Sequence, residues 1–241
     1  MQRIDEQTSP TPMVKEIDIP EKLLLFLRQK SGVRRKFDQK MYSVTELIKC
    51  PRETFYKKTG QKPEETLGES IQGMWSSLRG NFLHQLTNAY SWNELETEYK
   101  VQLDDNKSAT LVGRLDMYDE KTKTVLDLKT TNNVLWQVKH QMIPKPEHIL
   151  QVQCYYTMFS KIIPIEHLNL IYADMSEIVV FDVFLKDRTK WIANRIEILE
   201  TDLENGIVPM AQENSNCKFC KFQSACQSQG KTAGVKNRYN V

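Results

Sequence analysis

The stretch Val125–Thr131, "VLDLKTT", holds an acid and a base inside a run that otherwise has the composition of a buried strand. Side chains on a strand alternate between faces, so Leu126 and Leu128 share one face while Asp127 and Lys129 share the other. One face is apolar and the other carries a carboxylate beside an amine. Taken alone, such a D-x-K is most often a half-solvated strand with a charge pair. The segments on either side weigh against that reading.

Two strand-like runs precede it, "ETEYKVQLD" (96–104) and "ATLVGRLDMYD" (109–119), set apart by the polar turns "DNKS" and "EKT". With 123–131 they read as an antiparallel meander, and a hairpin through the turn near Lys121 places Asp116 beside Asp127. Two facing carboxylates repel unless a positive charge lies between them, and such oxygen ligands suit magnesium or manganese. Lys129, two residues beyond Asp127 on the same face, is placed to orient an attacking hydroxide and offset charge developing on a phosphate.

Beyond the hairpin, "PEHILQVQCYYTMFSK" (146–161) reads as a helix, and "LNLIYAD" and "EIVVFDVFL" as two strands. A further helix runs from Asp187 to a stop at Gly206. Upstream, "SVTELIKCPRETFYKK" (43–58) opens on Ser43 with Glu46 three residues later, a capping box, and Pro51 breaks it into two short helices. In "ESIQGMWSSLRGNFLHQLTNAY" (69–90), Trp75, Leu78, Phe82 and Leu86 recur at helical spacing and predict a core-facing stripe. The order of elements predicts an α/β (α+β) fold with a mixed central sheet flanked by helices. Residues 1–40 read as a loose arm with a short helix at "EKLLLFLRQK" and a basic stretch Arg34, Arg35 and Lys36; the main domain covers 41–229 and a tail 230–241.

Four short motifs stand in one order: "GNFLH" (80–84), "GRLD" (113–116), "DLK" (127–129) and "QVQCY" (151–155). Together they resemble the RecB branch of the PD-(D/E)XK nuclease superfamily, with its restriction-endonuclease-like fold. The resemblance implies that His84, Asp116, Asp127 and the backbone carbonyl of Leu128 bind Mg2+ or Mn2+. It makes Lys129 the catalytic lysine, and it gives Gln151 and Tyr155 the task of orienting the site or the DNA strand. Gly80 and Gly113 match motif glycines, whereas His140, His148 and His167 match none and read as surface or core residues.

Three of the five cysteines form "CKFCKFQSAC" (217–226), and a tetrahedral site needs a fourth ligand, for which Cys50 in "IKCPRETFY" is the natural candidate. The set Cys50, Cys217, Cys220 and Cys226 resembles the iron-sulfur staple of AddB-like nucleases and of the fourth of the CRISPR-associated (Cas) families. That resemblance implies a [4Fe-4S] cluster tying the N-terminal helical region to the C-terminal segment, with zinc as the alternative ion. Cys154 falls outside the ligand pattern and reads as a small buried residue.

The chain of 241 residues is 40% hydrophobic and 27% charged with a net charge of +2, so it can bury a core, and nucleic-acid binding has to come from local basic patches. No apolar run approaches membrane-spanning length and the N-terminus lacks an apolar signal core, which predicts a cytoplasmic protein with reduced thiols. The resemblance implies a metal-dependent exonuclease on single-stranded DNA ends, running 5' to 3', that prepares DNA for a CRISPR integrase complex; oligomers are known among relatives. A repair or viral nuclease of the same branch, or a non-cutting DNA-end adaptor, are the alternatives. Arg52, Lys57, Lys58 and Arg114 are candidates for phosphate contacts, and Phe55, Tyr56 and Trp75 for base stacking.

Overall fold

The computed structural model describes residues 40–64, 71–88, 95–103, 107–213 and 217–229. The basic stretch Arg34–Lys36 and the helix expected at 21–30 lie outside them. Among the described residues the chain begins with β1 (Met41–Ser43), which leads directly into α1 (Val44–Ile48). Ser43 and Glu46 form the expected capping box: the Ser43 hydroxyl accepts the Glu46 N–H at 3.2 Å, and the Glu46 carboxylate accepts the Ser43 N–H at 2.9 Å. Pro51 opens α2 (Pro51–Lys58), where its missing N–H costs no hydrogen bond.

After α3 (Ile71–Asn88) come β2 (Leu95–Gln102) and β3 (Ser108–Leu115), then β4 (Met117–Asp119) and β5 (Thr124–Thr130). The run read as one strand, 109–119, is two strands, because the chain bends at Asp116. That bend divides the expected central sheet into two mixed sheets. In one the order is β1-β3-β2, with β1 parallel and β2 antiparallel to β3. In the other, β5 lies between antiparallel β4 and parallel β6 (His167–Ala173), and β7 (Ile178–Val183) closes the edge.

A parallel neighbour requires a crossover, and α4 (Val134–Lys139) with α5 (Pro146–Phe159) supplies it between β5 and β6. At six residues, α4 is too short to show periodicity in the sequence. It is held at its start by the Val134 N–H, which donates to Asp174 Oδ2 at 2.9 Å. The chain closes with α6 (Thr189–Glu204), a 3-10 turn at Cys217–Phe219, and α7 (Gln223–Ser228).

The main core lies between the sheets and α5 and α6, where Leu111, Leu115, Val125, Val152, Phe159, Ile192 and Ile196 are wholly buried. Each such side chain contributes roughly 1.5–3 kcal/mol on removal from water. Gly113 lets α5 approach β3, since a Cβ there would sit 2.8 Å from Met158 Cε. A smaller cluster of Met117, Leu128, Ile171 and Ala173, with Leu83 packed on it, joins α3 to the second sheet.

The stripe expected on α3 does not face the core. Trp75 and Phe82 are 56% and 51% exposed, and the side chain of Leu86 lies outside the described residues. The helix docks instead through Met74, Leu83 and Gly80, whose hydrogen faces Thr130 at a spacing that would leave a Cβ 3.0 Å from the hydroxyl.

Candidate active site

β5 carries the reading that opened the sequence analysis, and it is not a half-solvated strand: Asp127 is 2% exposed. Met117 pairs with Leu126 across the β4–β5 hairpin, so Asp116 and Asp127, one step further on each strand, come opposite one another at the bend. The Leu128 N–H donates to Asp116 Oδ2 at 3.0 Å, which fixes that carboxylate against β5. Lys129 Nζ lies 2.6 Å from Asp127 Oδ2. From α3, His84 brings Nδ1 to 3.7 Å from the same Asp116 oxygen.

The environment of Asp127 is unfavourable to its charge. Burial raises its carboxyl to about 6; the Asp116 carboxylate pushes the same way and the Lys129 ammonium opposes both. The Lys129 ammonium, 2.6 Å away, is the cation that faces the buried Asp127 Oδ2. Two carboxylates, Asp116 and Asp127, share this one ammonium, and oxygen donors of that kind suit a hard divalent cation.

On α5, Gln151 and Tyr155 stand one turn apart, as their spacing predicts, and both are buried. The Gln151 amide donates to the Tyr155 hydroxyl at 2.8 Å. Burial pushes the Tyr155 phenol far above its usual range, with the Asp127 carboxylate adding to the shift, so it keeps its proton. His84, Asp116, Asp127, Leu128, Lys129, Gln151 and Tyr155 all line one cavity of about 890 Å³ with a mainly polar wall. Seven residues from α3, the β4–β5 hairpin and α5 thus converge, although among the described residues no three His, Cys, Asp or Glu side chains are drawn close enough to hold a metal ion.

The four cysteines of the predicted staple are not drawn into a cluster among the described residues. Cys50, Cys217, Cys220 and Cys226 line a second cavity of about 790 Å³. The Gln212 N–H lies 3.4 Å from Cys50 Sγ, and Arg52 Nη1 lies 3.4 Å from Cys226 Sγ, so two of the sulfurs face N–H donors. Their donor chemistry suits a thiolate-bound group, but they are not gathered around a point. Cys154 is fully buried away from them, and burial pushes its thiol up to about 12.

Most of the suggested DNA-contacting side chains serve other ends. Arg52 is 1% exposed and gives its Nε–H to the Pro209 carbonyl at 2.6 Å. Lys57 pairs with Glu46, and Lys58 donates to the Met41 carbonyl at 2.5 Å while covering the Tyr42 ring. Phe55 and Tyr56 are buried, 5% and 4% exposed, which removes them as stacking platforms. Arg114 does line the catalytic cavity, and Trp75 is exposed on α3. His148, which the motifs left out, lines both cavities; no signal in the sequence singled it out.

A family model for the PD-(D/E)XK nuclease superfamily matches residues 34–227. The crystal structure of SSO0001 is similar in fold, with a TM-score of 0.60 and 21% identity, covering 89% of this chain and 97% of that one. No curated protein matches the sequence significantly. Among the described residues, no helix is long and apolar enough to cross a membrane.

Proposed function

This chain belongs to the PD-(D/E)XK nuclease superfamily, and on that premise we propose that it is a metal-dependent deoxyribonuclease acting on single-stranded ends. The observation that carries the reading is the convergence of Asp116, Asp127, Lys129, Gln151 and Tyr155 on one polar cavity, around a buried carboxylate paired with a lysine. Nucleases of this superfamily typically use magnesium or manganese. His84, Asp116, Asp127 and the Leu128 carbonyl are the residues that would hold the ion, which would supply a Lewis acid for the phosphoryl oxygen.

The remaining work falls to the chain itself. Asp116, fixed by the Leu128 N–H, and Asp127, fixed by burial, present oxygens from two adjoining strands. Lys129 sits next to Asp127, where it orients the attacking water and offsets the charge that develops on the phosphate. Gln151 and Tyr155 hold each other from the α5 side, and the retained phenolic proton leaves Tyr155 a hydrogen-bonding wall of the site. Arg114 gives the same cavity a cation for the strand.

For the cysteine-lined cavity the reading is a [4Fe-4S] cluster on Cys50, Cys217, Cys220 and Cys226. It is supported by four thiols around one space and by N–H groups beside two of the sulfurs. Zinc accepts the same four thiolates, and the preference for the cluster over zinc rests on the motif resemblance. The preference for single strands, 5'-to-3' polarity and a role in preparing DNA for a CRISPR integrase complex rest on the motif resemblance.

The test is digestion of end-labelled single-stranded and duplex DNA by anaerobically purified wild type and Lys129→Ala, with manganese, magnesium or chelator. Cutting that needs the metal and Lys129 establishes the nuclease, and the product ladder gives polarity. Equal DNA binding by both proteins with no cutting by either overturns the reading in favour of an adaptor. A visible absorbance band in the same preparation, lost in Cys226→Ser, reports the cluster; a colourless, zinc-loaded protein excludes it.

A further inference from the structure

Three residues before Gln151 on α5, on the same face of the helix, stands His148. Its imidazole lines both the catalytic cavity and the cysteine-lined cavity, and Lys129, Lys145 and Gln151 do the same. Together with Thr45, which also lines both, these residues form the shared rim between the two spaces.

Tyr172, from β6, sets the state of the imidazole. Its hydroxyl accepts the Lys145 backbone N–H at 3.0 Å and lies 2.6 Å from His148 Nδ1. With the Lys145 N–H on one lone pair, the hydroxyl has its own proton to give to Nδ1, and the two rings lie 5.6 Å apart at a 31° tilt. Burial pushes the Tyr172 phenol up to about 12, so that proton stays in place. Burial, and then the Lys129 and Lys145 ammonium groups, push His148 down to about 3, so the ring is neutral. A neutral imidazole that accepts at Nδ1 carries its proton on Nε2, and that N–H is what His148 has left to offer at the rim.

An N–H donor flanked by two lysines at the edge of a nuclease site meets the chemistry of a phosphate. We propose that His148 is a substrate-contacting residue, donating from Nε2–H to a non-bridging oxygen of a DNA phosphate neighbouring the scissile one, with Lys145 supplying charge to the same subsite. The proposal rests on the nuclease reading above. Its physical sense lies in neutrality: the ring adds a contact without placing another positive charge beside Lys129. Tyr172 acts through His148 and is a positioning residue.

The experiment compares wild type with His148→Ala, His148→Gln, Lys145→Ala and Tyr172→Phe, each checked by thermal melting. Binding of a fluorescent single-stranded oligonucleotide is measured in chelator over a salt series, and kcat and KM are measured with manganese. His148→Ala is expected to lose about 10- to 100-fold in kcat/KM, the scale of a hydrogen bond to a charged group, with no change in the salt slope of binding. His148→Gln, whose amide N–H has similar reach, recovers most of that loss. Lys145→Ala lowers the salt slope by about 0.7, the value of one single-strand phosphate contact. Tyr172→Phe loses activity without moving that slope. His148→Ala cutting within about threefold of wild type overturns the proposal, as does His148→Gln failing as deeply as His148→Ala at equal melting temperature. Wild type that neither binds nor cuts DNA overturns the nuclease reading itself, and the proposal with it.

Discussion

Lys129 Nζ lies 2.6 Å from Asp127 Oδ2, so the acid and the base two residues apart on β5 are in contact inside the protein, with side chains 18% and 3% exposed. A buried pair of this kind adds little stability, because desolvating both charges offsets their attraction. Its placement at the wall of the catalytic cavity is therefore better explained by chemistry than by folding.

Replacing Lys129 with methionine, similar in length but uncharged, separates those two explanations. Cutting is expected to fall by at least about 10² to 10³, the scale set by loss of one preorganised electrostatic partner. Stability is expected to change much less than the 3–5 kcal/mol that stranding a buried charge can cost, because Asp127 already sits near its neutral form and takes up a proton instead. Melting curves at pH 5 and pH 8 check this: the mutant's deficit relative to wild type is larger at pH 8, where the proton is harder to supply.

Arg52 yields a prediction at the other cavity. It is among the most buried side chains, with Nε on the Pro209 carbonyl at 2.6 Å and Nη1 at 3.4 Å from both the carbonyl and the sulfur of Cys226. It ties α2 to the segments on either side of the cysteine run. Arg52→Met leaves the Pro209 carbonyl without this donor and removes the N–H beside Cys226, and is expected to lower stability by about 2–4 kcal/mol in urea titration. The visible absorbance of anaerobically purified protein is expected to fall in the same mutant.

The placement of the candidate site residues was legible because it is set at short range. A strand alternates faces, so D-x-K on β5 and the aspartate ending "GRLD" mark their side of the hairpin without tertiary knowledge, and one helical turn puts Gln151 and Tyr155 together. What tertiary structure decides was not legible. Helical spacing says that Trp75 and Phe82 share a face of α3 but not which face meets the sheet, and Leu83 and Gly80 settle that. The basic and aromatic residues of α2 could be read as DNA contacts only until Arg52 and Tyr56 were seen buried against the C-terminal segment. His148 stayed hidden because its partner, Tyr172, is far along the chain on β6.

The exposed face of α3 gives a sharp measurement. Were Trp75 and Phe82 core residues, truncating either to alanine would cost about 3–5 kcal/mol. As half-exposed side chains they are expected to cost no more than about 0.5–1 kcal/mol each in chemical denaturation. Met74, which is 9% exposed on the same helix, is expected to cost about 2 kcal/mol or more as Met74→Ala.

The raised carboxyl of Asp127 makes the metal-free protein's stability depend on pH in a particular direction. Its ordinary value is 3.8 and burial lifts it to about 6, so between those pH values the folded state holds a proton that the unfolded state has released. A group raised in this way contributes its full stability below about pH 4 and loses it as pH rises through 6. Asp127→Asn cannot ionise and does not suffer that loss. In chelator, the mutant is therefore expected to gain on wild type between pH 4 and pH 7, by up to about 3 kcal/mol, and the difference is expected to level off above that. Metal binding runs the other way, since the ion needs the carboxylate. Manganese affinity of wild type is expected to rise through pH 6 with release of about one proton, read by calorimetry in two buffers of different ionisation enthalpy. A flat difference between wild type and Asp127→Asn over that range would mean that the Lys129 ammonium holds Asp127 ionised throughout. Asp127 would then already be a carboxylate before any metal arrives.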